Sequence, residues 1–307
     1  MGVPRPAFPS GEQIELRHGD QTAVVTEVGA GLRAYSAAGG EVLDGYREDE
    51  LASSGRGQLL IPWPNRIQDG VYEHDGRQYQ LDLSEPARSN AIHGLVRWSS
   101  WNVSDQASDR VVLVHILRPR PGYPFTLELR VEYALSDDGL GVAVGATNAD
   151  PDAAPYGAGA HPYLALGPGG VDETVLRVPA RTVLDADERG IPVGSSPVAE
   201  ELDFRSPRTV GATRLDHCFT DLERDEDGVA RVAVGETTLW VDSSFSYLMV
   251  FTGDGLPDVE RRSLAVEPMT CAPNAFRTGA GLIRLEPGQT HEGRWGITPG
   301  KVGMQWR

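Results

Sequence analysis

The chain has 307 residues, of which 40% are hydrophobic and 23% are charged, and its formal net charge is −16. This length and composition are typical of a globular protein with a sizeable core. The acidity argues against a nucleic-acid partner, because proteins that bind DNA or RNA usually present a basic face. No apolar run approaches the roughly 20 residues that span a bilayer, so we expect no membrane partner.

The N-terminal segment has no apolar core of signal-peptide length, and we expect residues 1–12 to form a loose leader. The two cysteines, Cys218 and Cys271, have neither the number nor the spacing of a disulfide framework or a metal knuckle. These observations predict a cytoplasmic protein in which both thiols are reduced.

The hydrophobic period along the chain is two, which is typical of half-buried β-strands. It is clearest from Leu127 to Leu135, where apolar residues alternate with Glu128, Arg130 and Glu132. The predicted strands are, in chain order, Thr22–Val28, Val111–Leu117, Thr126–Leu135, Leu140–Thr147, Val175–Val178, Val229–Val234, Thr238–Val241, Tyr247–Thr252 and Leu282–Leu285.

Turn signals lie between several of these strands. The dipeptides Asp75-Gly76, Asp138-Gly139 and Asp227-Gly228 accept the positive φ angles of two-residue hairpin turns. No capped amphipathic helix of twelve or more residues is recognisable. Together with the 36 glycines and 22 prolines, the pattern predicts an all-β sandwich or barrel, in one domain over residues 1–307.

Polar residues mark several segments as candidate sites. The segment Gln58–Asp69 holds Trp63, Asn65 and Arg66 on a loop made rigid by prolines. An indole can cover the apolar face of a sugar, while amide and guanidinium groups donate to hydroxyls. The segment Asn90–Trp101 contributes His93, followed by a glycine that permits close backbone approach, and then Arg97.

Three further groups carry the acid–base chemistry that these segments could use. His161 lies among small residues, and an imidazole exchanges protons near neutral pH. Asp216 and His217 are adjacent, so only one can face a given pocket on a strand, and we favour Asp216. Glu267 ends a buried apolar run, where a carboxylate is costly unless it is hydrogen-bonded or functional.

The five segments resemble the aldose 1-epimerase (galactose mutarotase) superfamily, in the same order and over nearly the whole chain. The resemblance rests on the sequences NRI at Asn65–Ile67, HGLVR at His93–Arg97, AHPY at Ala160–Tyr163, LDHCF at Leu215–Phe219 and VEPMT at Val266–Thr270. It implies a large antiparallel β supersandwich, galactose mutarotase-like, with a sugar cleft on one concave sheet. The implied activity is interconversion of the α and β anomers of a hexose, without cofactor or metal.

The resemblance also implies roles for individual residues. Glu267 would be the catalytic base and His161 the catalytic acid. His93 would assist at the ring oxygen, while Arg66 and Asp216 would hold sugar hydroxyls. Asn65 is a further expected contact.

Three motifs depart from galactose-type members and leave the substrate open. The sequence GAHPY replaces an NHSYF-like run, and HGLVRWSSW is similar to hexose-6-phosphate mutarotases, in which an arginine at the position of Arg97 helps to hold phosphate. The PWPNRI loop resembles a subgroup that includes sulfosugar mutarotases. Glucose-6-phosphate 1-epimerase and sulfosugar mutarotase are therefore alternatives.

Two different functional classes are also compatible with these residues. A non-catalytic carbohydrate-binding protein would share the sandwich but would need no acid–base pair. A lyase or hydrolase built on a similar sandwich would need suitably placed carboxylates, for which Asp216 and Glu267 are the candidates. In every case the expected partner is a small-molecule sugar, and the protein is expected to be a monomer or homodimer.

Overall fold

The period-two pattern of the sequence becomes strands throughout the computed structural model, which describes residues 8–257 and 259–300. The first half of the described chain contains thirteen strands. They are β1 (Gln13–His18), β2 (Gln21–Thr26), β3 (Leu32–Ala37), β4 (Gly40–Glu41), β5 (Leu59–Leu60), β6 (Arg66–Gln68), β7 (Val71–His74), β8 (Arg77–Gln80), β9 (Asn90–Ile92), β10 (Asn102–Gln106), β11 (Arg110–Leu117), β12 (Leu127–Ser136) and β13 (Gly139–Asn148).

The second half adds fourteen strands and two α-helices of four residues each. The strands are β14 (Ala154–Tyr156), β15 (Gly159–Ala160), β16 (Tyr163–Ala165), β17 (Val175–Arg177), β18 (Ala180–Ala186), β19 (Pro192–Pro197), β20 (Arg208–Thr209), β21 (Asp216–Leu222), β22 (Ala230–Val234), β23 (Thr237–Val241), β24 (Tyr247–Phe251), β25 (Ser263–Met269), β26 (Ile283–Leu285) and β27 (Thr290–Thr298). The helices are α1 (Gly170–Glu173) and α2 (Ala275–Thr278).

Two large sheets dominate the architecture. A nine-stranded sheet has the order β10-β11-β12-β13-β27-β23-β22-β17-β20. An eight-stranded sheet has the order β19-β18-β21-β24-β25-β15-β5, with β16 also paired to β25. The neighbouring strands that we traced in both sheets run antiparallel. A four-stranded sheet of β1 to β4 and three two-stranded sheets complete the described part.

The main core lies between the large sheets, because buried side chains of both belong to one continuous cluster. From the eight-stranded sheet, Leu248, Val250, Leu264 and Val266 point into it. The residues between them in sequence point to the other face of the sheet, which we call the outer face. The site described below is built on that face.

The structure confirms the predicted all-β sandwich, and a strand overlaps each of the nine predicted runs. The hairpin predicted at Asp75-Gly76 is confirmed, since β7 pairs with β8. Strands β12 and β13 also form a hairpin, but its two-residue turn is Asp137-Asp138, one position before the predicted Asp138-Gly139. The third is wrong. Asp227-Gly228 forms a tight turn, in which Gly228 donates to the carbonyl of Asp225 (3.0 Å), but the flanking strands β21 and β22 belong to different sheets.

At the N-terminus, residues 1–7 of the predicted leader lie outside the described residues. The rest of that segment is attached to the fold, because Glu27 donates to the carbonyl of Glu12 (2.9 Å) and Val28 to that of Ser10 (3.0 Å). No helix among the described residues is both long and apolar enough to cross a membrane. Both cysteines are free and buried.

Candidate active site

Strand pairing brings His161 and Glu267 together although they are 106 positions apart in the chain. Strand β25 pairs Met269 with Gly159 of β15 and Ala265 with Tyr163 of β16. Midway between these two pairs, His161 faces Glu267. Directly opposed residues of antiparallel strands point to the same face. The imidazole Nε2 accordingly lies 3.2 Å from the carboxylate Oε1.

Both groups of this pair are almost fully buried, at 5% exposure for His161 and 3% for Glu267. Burial lowers the pKa of the His161 imidazole to about 3, because a charge is costly away from water. Burial, and secondarily the charge of Asp216, raise the pKa of Glu267 well above its usual range, while Arg66 acts in the opposite direction. The pair therefore shares one exchangeable proton in a setting of low polarity.

His93 is the third member of the cluster. Its ring lies edge-on to that of His161, with 5.4 Å between the centroids. Ligating atoms of His93, His161 and Glu267 all lie within 4.8 Å of one another. Three buried atoms of the cluster have no hydrogen-bond partner among the described residues: Nδ1 of His93, Nδ1 of His161 and Oε2 of Glu267. Such atoms are rare in interiors and are expected where a ligand binds.

Two loops are joined by backbone hydrogen bonds to place His93. The N–H of His93 donates to the carbonyl of Asn65 (2.9 Å), and that of Leu95 donates to the carbonyl of Ile61 (2.7 Å). His93 itself has a left-handed backbone, with φ of 62°. A Cβ at Gly94 would lie 2.1 Å from the carbonyl oxygen of Ile61, so only glycine permits this approach.

A stack of planar side chains fixes the orientation of His161. Its ring lies parallel to that of Tyr163, with centroids 4.9 Å apart and an interplanar angle of 10°. The guanidinium carbon of Arg56 lies 4.1 Å from the centre of the Tyr163 ring, and Asp44 holds Arg56 at 2.8 Å. On the imidazole edge, a Cβ at Gly55 would lie 2.5 Å from Cδ2 of His161. The catalytic candidate therefore has little room to rotate.

Arg66 lies near the pair but has its own partner. Its Nε donates to Oε2 of Glu85 (2.8 Å) and its Nη2 to Oε1 (3.0 Å), which is a bidentate ion pair. The backbone of Gly190 lies against the remaining nitrogen, since a Cβ there would be 2.6 Å from Nη1. Glu85 thus neutralises Arg66 and leaves one edge of the guanidinium for other contacts.

Arg97 differs from Arg66, because no carboxylate among the described residues lies within 4 Å of its guanidinium. Its contacts are neutral: Nη1 donates to Oε1 of Gln58 (3.3 Å) and Nη2 to the carbonyl of Ile92 (3.4 Å). Burial lowers the pKa of Arg97. Its charge acts on both His93 and His161, which places it close to the cluster.

The remaining predicted sugar contacts, Asn65, Trp63 and Asp216, lie in different surroundings. Asn65 is buried next to the cluster, with a left-handed backbone, and its side-chain oxygen accepts from the N–H of Arg66 (3.0 Å). Trp63 is 2% exposed and packs edge-on against Phe276. Because an indole packed in the core cannot cover a sugar face, we correct its predicted sugar contact to a packing role.

Asp216 begins β21 and is exposed. With Gly190 and His217 it lines a cavity of about 340 Å³, which is at the lower end of the size of small-molecule pockets. The outer face beside Glu267 is apolar: Cys218, Met249 and Met269 form a small cluster with Leu184 and Tyr247. Glu267 therefore lies beside an apolar patch of the outer face, and the charge of Asp216 acts on it.

The chain matches the family model described as aldose 1-epimerase over residues 12–298. It belongs to the aldose 1-epimerase family. It is 37% identical over 291 residues to the uncharacterized protein YihR of Escherichia coli K12, covering 92% of this chain and 91% of the relative.

Solved structures of other proteins have the same fold as this family member. A galactose 1-epimerase from Lactobacillus acidophilus is 20% identical, with a TM-score of 0.80, and covers 94% of this chain and 95% of its own. An aldose epimerase homologue from C. elegans is 18% identical, with a TM-score of 0.83, and covers 94% and 99%. The galactose mutarotase-like supersandwich predicted from the sequence is thus confirmed. Family membership supports an epimerase or mutarotase activity in general terms.

Several residues of this aldose 1-epimerase family site were missed by the sequence analysis. Tyr163 had a usable signal, because it lies two positions after His161 and residues two apart share a strand face. Glu85 had none: its ion pair with Arg66 joins a loop and a strand with no characteristic spacing. Arg56 and Gly55 precede the first recognised segment, and only the fold brings them to His161.

Proposed function

We propose that the protein is a mutarotase that interconverts the α and β anomers of a hexose, with Glu267 as base and His161 as acid. The observation that carries this proposal is the 3.2 Å approach of imidazole Nε2 to carboxylate Oε1 on the outer face of the sheet. Proton exchange of this kind typically contributes ~10²–10⁴-fold per group.

The proposed reaction uses the pair as one donor and one acceptor. The proton that the pair shares first moves from Glu267 to Nε2 of His161 across the 3.2 Å contact. The carboxylate of Glu267 then takes the proton of the anomeric hydroxyl while His161 protonates the ring oxygen. The bond between C1 and the ring oxygen breaks, and an open-chain aldehyde results. After rotation about the C1–C2 bond, the two groups reverse their roles and the ring closes on the other face of the carbonyl. No electrons are transferred and no atoms are gained or lost.

The surroundings support this division of roles. Burial raises the pKa of Glu267, which suits a base, and the charge of Arg66 offsets part of that rise. In this proposal His93, whose ring stands edge-on to that of His161, contacts the ring oxygen of the sugar. Asp216, Asn65 and the free edge of Arg66 supply hydrogen-bonding groups for the hydroxyls. Since the nearest partner of Glu267 is an imidazole and not a second carboxylate, the pair is better suited to mutarotation than to glycoside hydrolysis.

An anionic hexose is a second candidate substrate, and Arg97 is the observation that favours it. Its charge is not neutralised by any carboxylate within 4 Å among residues 8–257 and 259–300, and it acts on both histidines of the cluster. A sugar phosphate dianion calls for two guanidinium groups, and the second one here would have to be Arg66. Arg66 is instead bound to Glu85. An anionic group held by Arg97 alone therefore fits better than a phosphate dianion held by two arginines.

Anomer-exchange NMR tests both candidates on one panel of neutral, 6-phosphorylated and 6-sulfonated hexoses. Acceleration of exchange for any of these sugars is the expected result. An absence of acceleration across the panel would contradict the mutarotase proposal and would favour a carbohydrate-binding protein. The Arg97→Gln variant separates the substrates, because it should reduce exchange of the anionic sugars more than that of neutral ones. An equal loss on both would remove the argument for an anionic substrate.

A further inference from the structure

The cluster of His93, His161 and Glu267 has a donor set that the mutarotase reaction does not require. Two imidazoles and one carboxylate are the ligands found in many catalytic zinc sites, where a fourth position stays open. The same set also binds other divalent first-row metals. The three residues come from a loop after β9, the junction of β15 and β16, and β25 itself. Their separation along the chain explains why no metal motif was recognisable in the sequence.

The distances in the cluster suit such an ion. With ligand bonds of about 2.0–2.1 Å, neighbouring ligand atoms of tetrahedral zinc lie about 3.3 Å apart. The separation of His161 Nε2 and Glu267 Oε1 is 3.2 Å. One ligating atom from each of the three residues lies within 4.8 Å of those of the other two. A shift of His93 on the order of 1–2 Å would therefore complete three sides of the site.

The environment of the cluster points to a ligand as well. All three side chains are at least nine-tenths buried, and Nδ1 of His93 and Oε2 of Glu267 have no partner among the described residues. The nearby arginines oppose a dication only in part, because Glu85 neutralises Arg66 and Arg56 is paired with Asp44. Asp216 adds a negative charge that acts on Glu267. Arg97 is the one uncompensated cation that we find next to the cluster in the described ranges.

We propose that His93, His161 and Glu267 form a binding site for a divalent transition-metal ion such as Zn²⁺, and that the bound ion inhibits sugar turnover. The inhibition rests on the proposed function, because the ion would occupy both members of the acid–base pair. The binding does not depend on it. Since Nδ1 of His161 has no hydrogen-bond partner to orient the ring, we expect an affinity roughly 10–100-fold below that of sites that have such a partner.

Cobalt absorption provides the first test, because it reads metal geometry without any substrate. Chelator-treated protein is titrated with CoCl₂, and we expect visible ligand-field bands that saturate at one ion per chain and disappear when ZnCl₂ is added. The His93→Gln and Glu267→Gln variants should bind at least about tenfold more weakly. His291→Gln is the matched control, since His291 also has a buried unpartnered Nδ1 but does not belong to the cluster, and its titration should equal that of the unchanged protein.

Circular dichroism confirms that each variant is folded. Saturation that is unaltered in both His93→Gln and Glu267→Gln, or no saturable band in the unchanged protein, would overturn the metal site. These readouts remain valid even if no sugar is turned over.

Competition provides the second test. Zn²⁺ should slow anomer exchange at the concentrations at which it displaces Co²⁺, and excess sugar should shift the cobalt titration to higher metal concentration. One-to-one metal binding with an unchanged exchange rate would overturn the inhibition. Slow exchange without zinc would instead count against the proposed function.

Discussion

The two faces of β25 are equally buried but differ in how their side chains are satisfied. Leu264 and Val266 point into the main core, where apolar neighbours from both large sheets surround them. Glu267 points to the outer face, where its Oε2 lacks a partner among the described residues. Burial alone therefore does not identify a hydrophobic core. The core face of β25 stabilises the fold by removing apolar side chains from water, whereas the outer face keeps buried polar groups at a cost in free energy.

The Glu267→Gln substitution should have the largest effect on the outer face. It keeps the shape of the side chain but removes the proposed base, so turnover should fall by at least ~100-fold. Stability should be maintained or should rise, because a buried carboxylate is replaced by a neutral amide. Anomer-exchange NMR measures the first effect and urea unfolding the second. Turnover close to that of the unchanged protein would reject the assignment.

Leu264→Ala on the core face should have the opposite consequence. Removing a fully buried leucine typically costs 2–5 kcal/mol of unfolding free energy, and Leu264 is completely buried. Exchange per folded molecule should stay within about twofold of the unchanged protein. Chemical denaturation and activity at a temperature well below the transition test this. A selective loss of activity in a stably folded variant would mean that the two faces are not independent.

Tyr163 gives a finer test of the outer face, because it orients His161 without meeting the sugar in our proposal. Tyr163→Leu removes the stacked ring, and the resulting misplacement should lower kcat by roughly 10–100-fold with little change in KM. Tyr163→Phe keeps the ring and should restore most of the rate. Measuring kcat and KM across pH for both variants separates orientation from stability, since a purely structural role would leave the pH profile unmoved.

The smallest expected effects concern how the free energy of unfolding depends on pH. His161 and Glu267 should change it in opposite directions as pH rises. In the unfolded chain the pKa of His161 is near 6.5, whereas in the folded protein burial lowers it to about 3. The contribution of His161 to the free energy of unfolding is therefore lost as pH falls below 6.5. Burial raises the pKa of Glu267 in the folded protein well above 4.5. The contribution of Glu267 to the free energy of unfolding is therefore lost as pH rises from 4.5 through the folded-state pKa. In the unchanged protein the two slopes offset each other.

Single substitutions should expose each slope. Relative to the unchanged protein, Glu267→Gln should lose stability towards pH 4, and His161→Gln should lose it towards neutral pH. Denaturant titrations at four or five pH values measure both. Parallel curves for the three proteins would contradict the burial-driven shifts.

Much of this fold could be predicted from the sequence, because alternation of apolar and polar residues is a local signal. It identified β12 and eight further strands, but it missed β1, whose alternation of buried Ile14 and Leu16 with polar residues was available, and strands in which alternation is weak. Strand β27 was missed, although it is central to the nine-stranded sheet, because its two glycines and charged residues hide the pattern. The turn at Asp227-Gly228 was recognised, but its sequence does not say that the chain changes sheets there.

The candidate site divides in the same way. His161 and Glu267 were found because unusual residues stand in apolar or small-residue surroundings. Their contact depends on the register of β25 against β15 and β16, which no local pattern specifies. Trp63 was misplaced, since an aromatic side chain on a loop has the same sequence signal whether it faces a ligand or the core. The partnership of Arg66 with Glu85 depends on loop geometry alone.

The loops around His93 have a consequence for how a sugar can reach the cluster. Besides the bonds of His93 and Leu95, Gly157 donates to the carbonyl of Pro62 (2.7 Å) and Asn274 to that of Arg66 (2.6 Å). These hydrogen bonds join four separate segments of the chain into one irregular but rigid wall. Such a wall opens as a unit or not at all. A sugar that reached the cluster from this side would therefore need several backbone hydrogen bonds to break together.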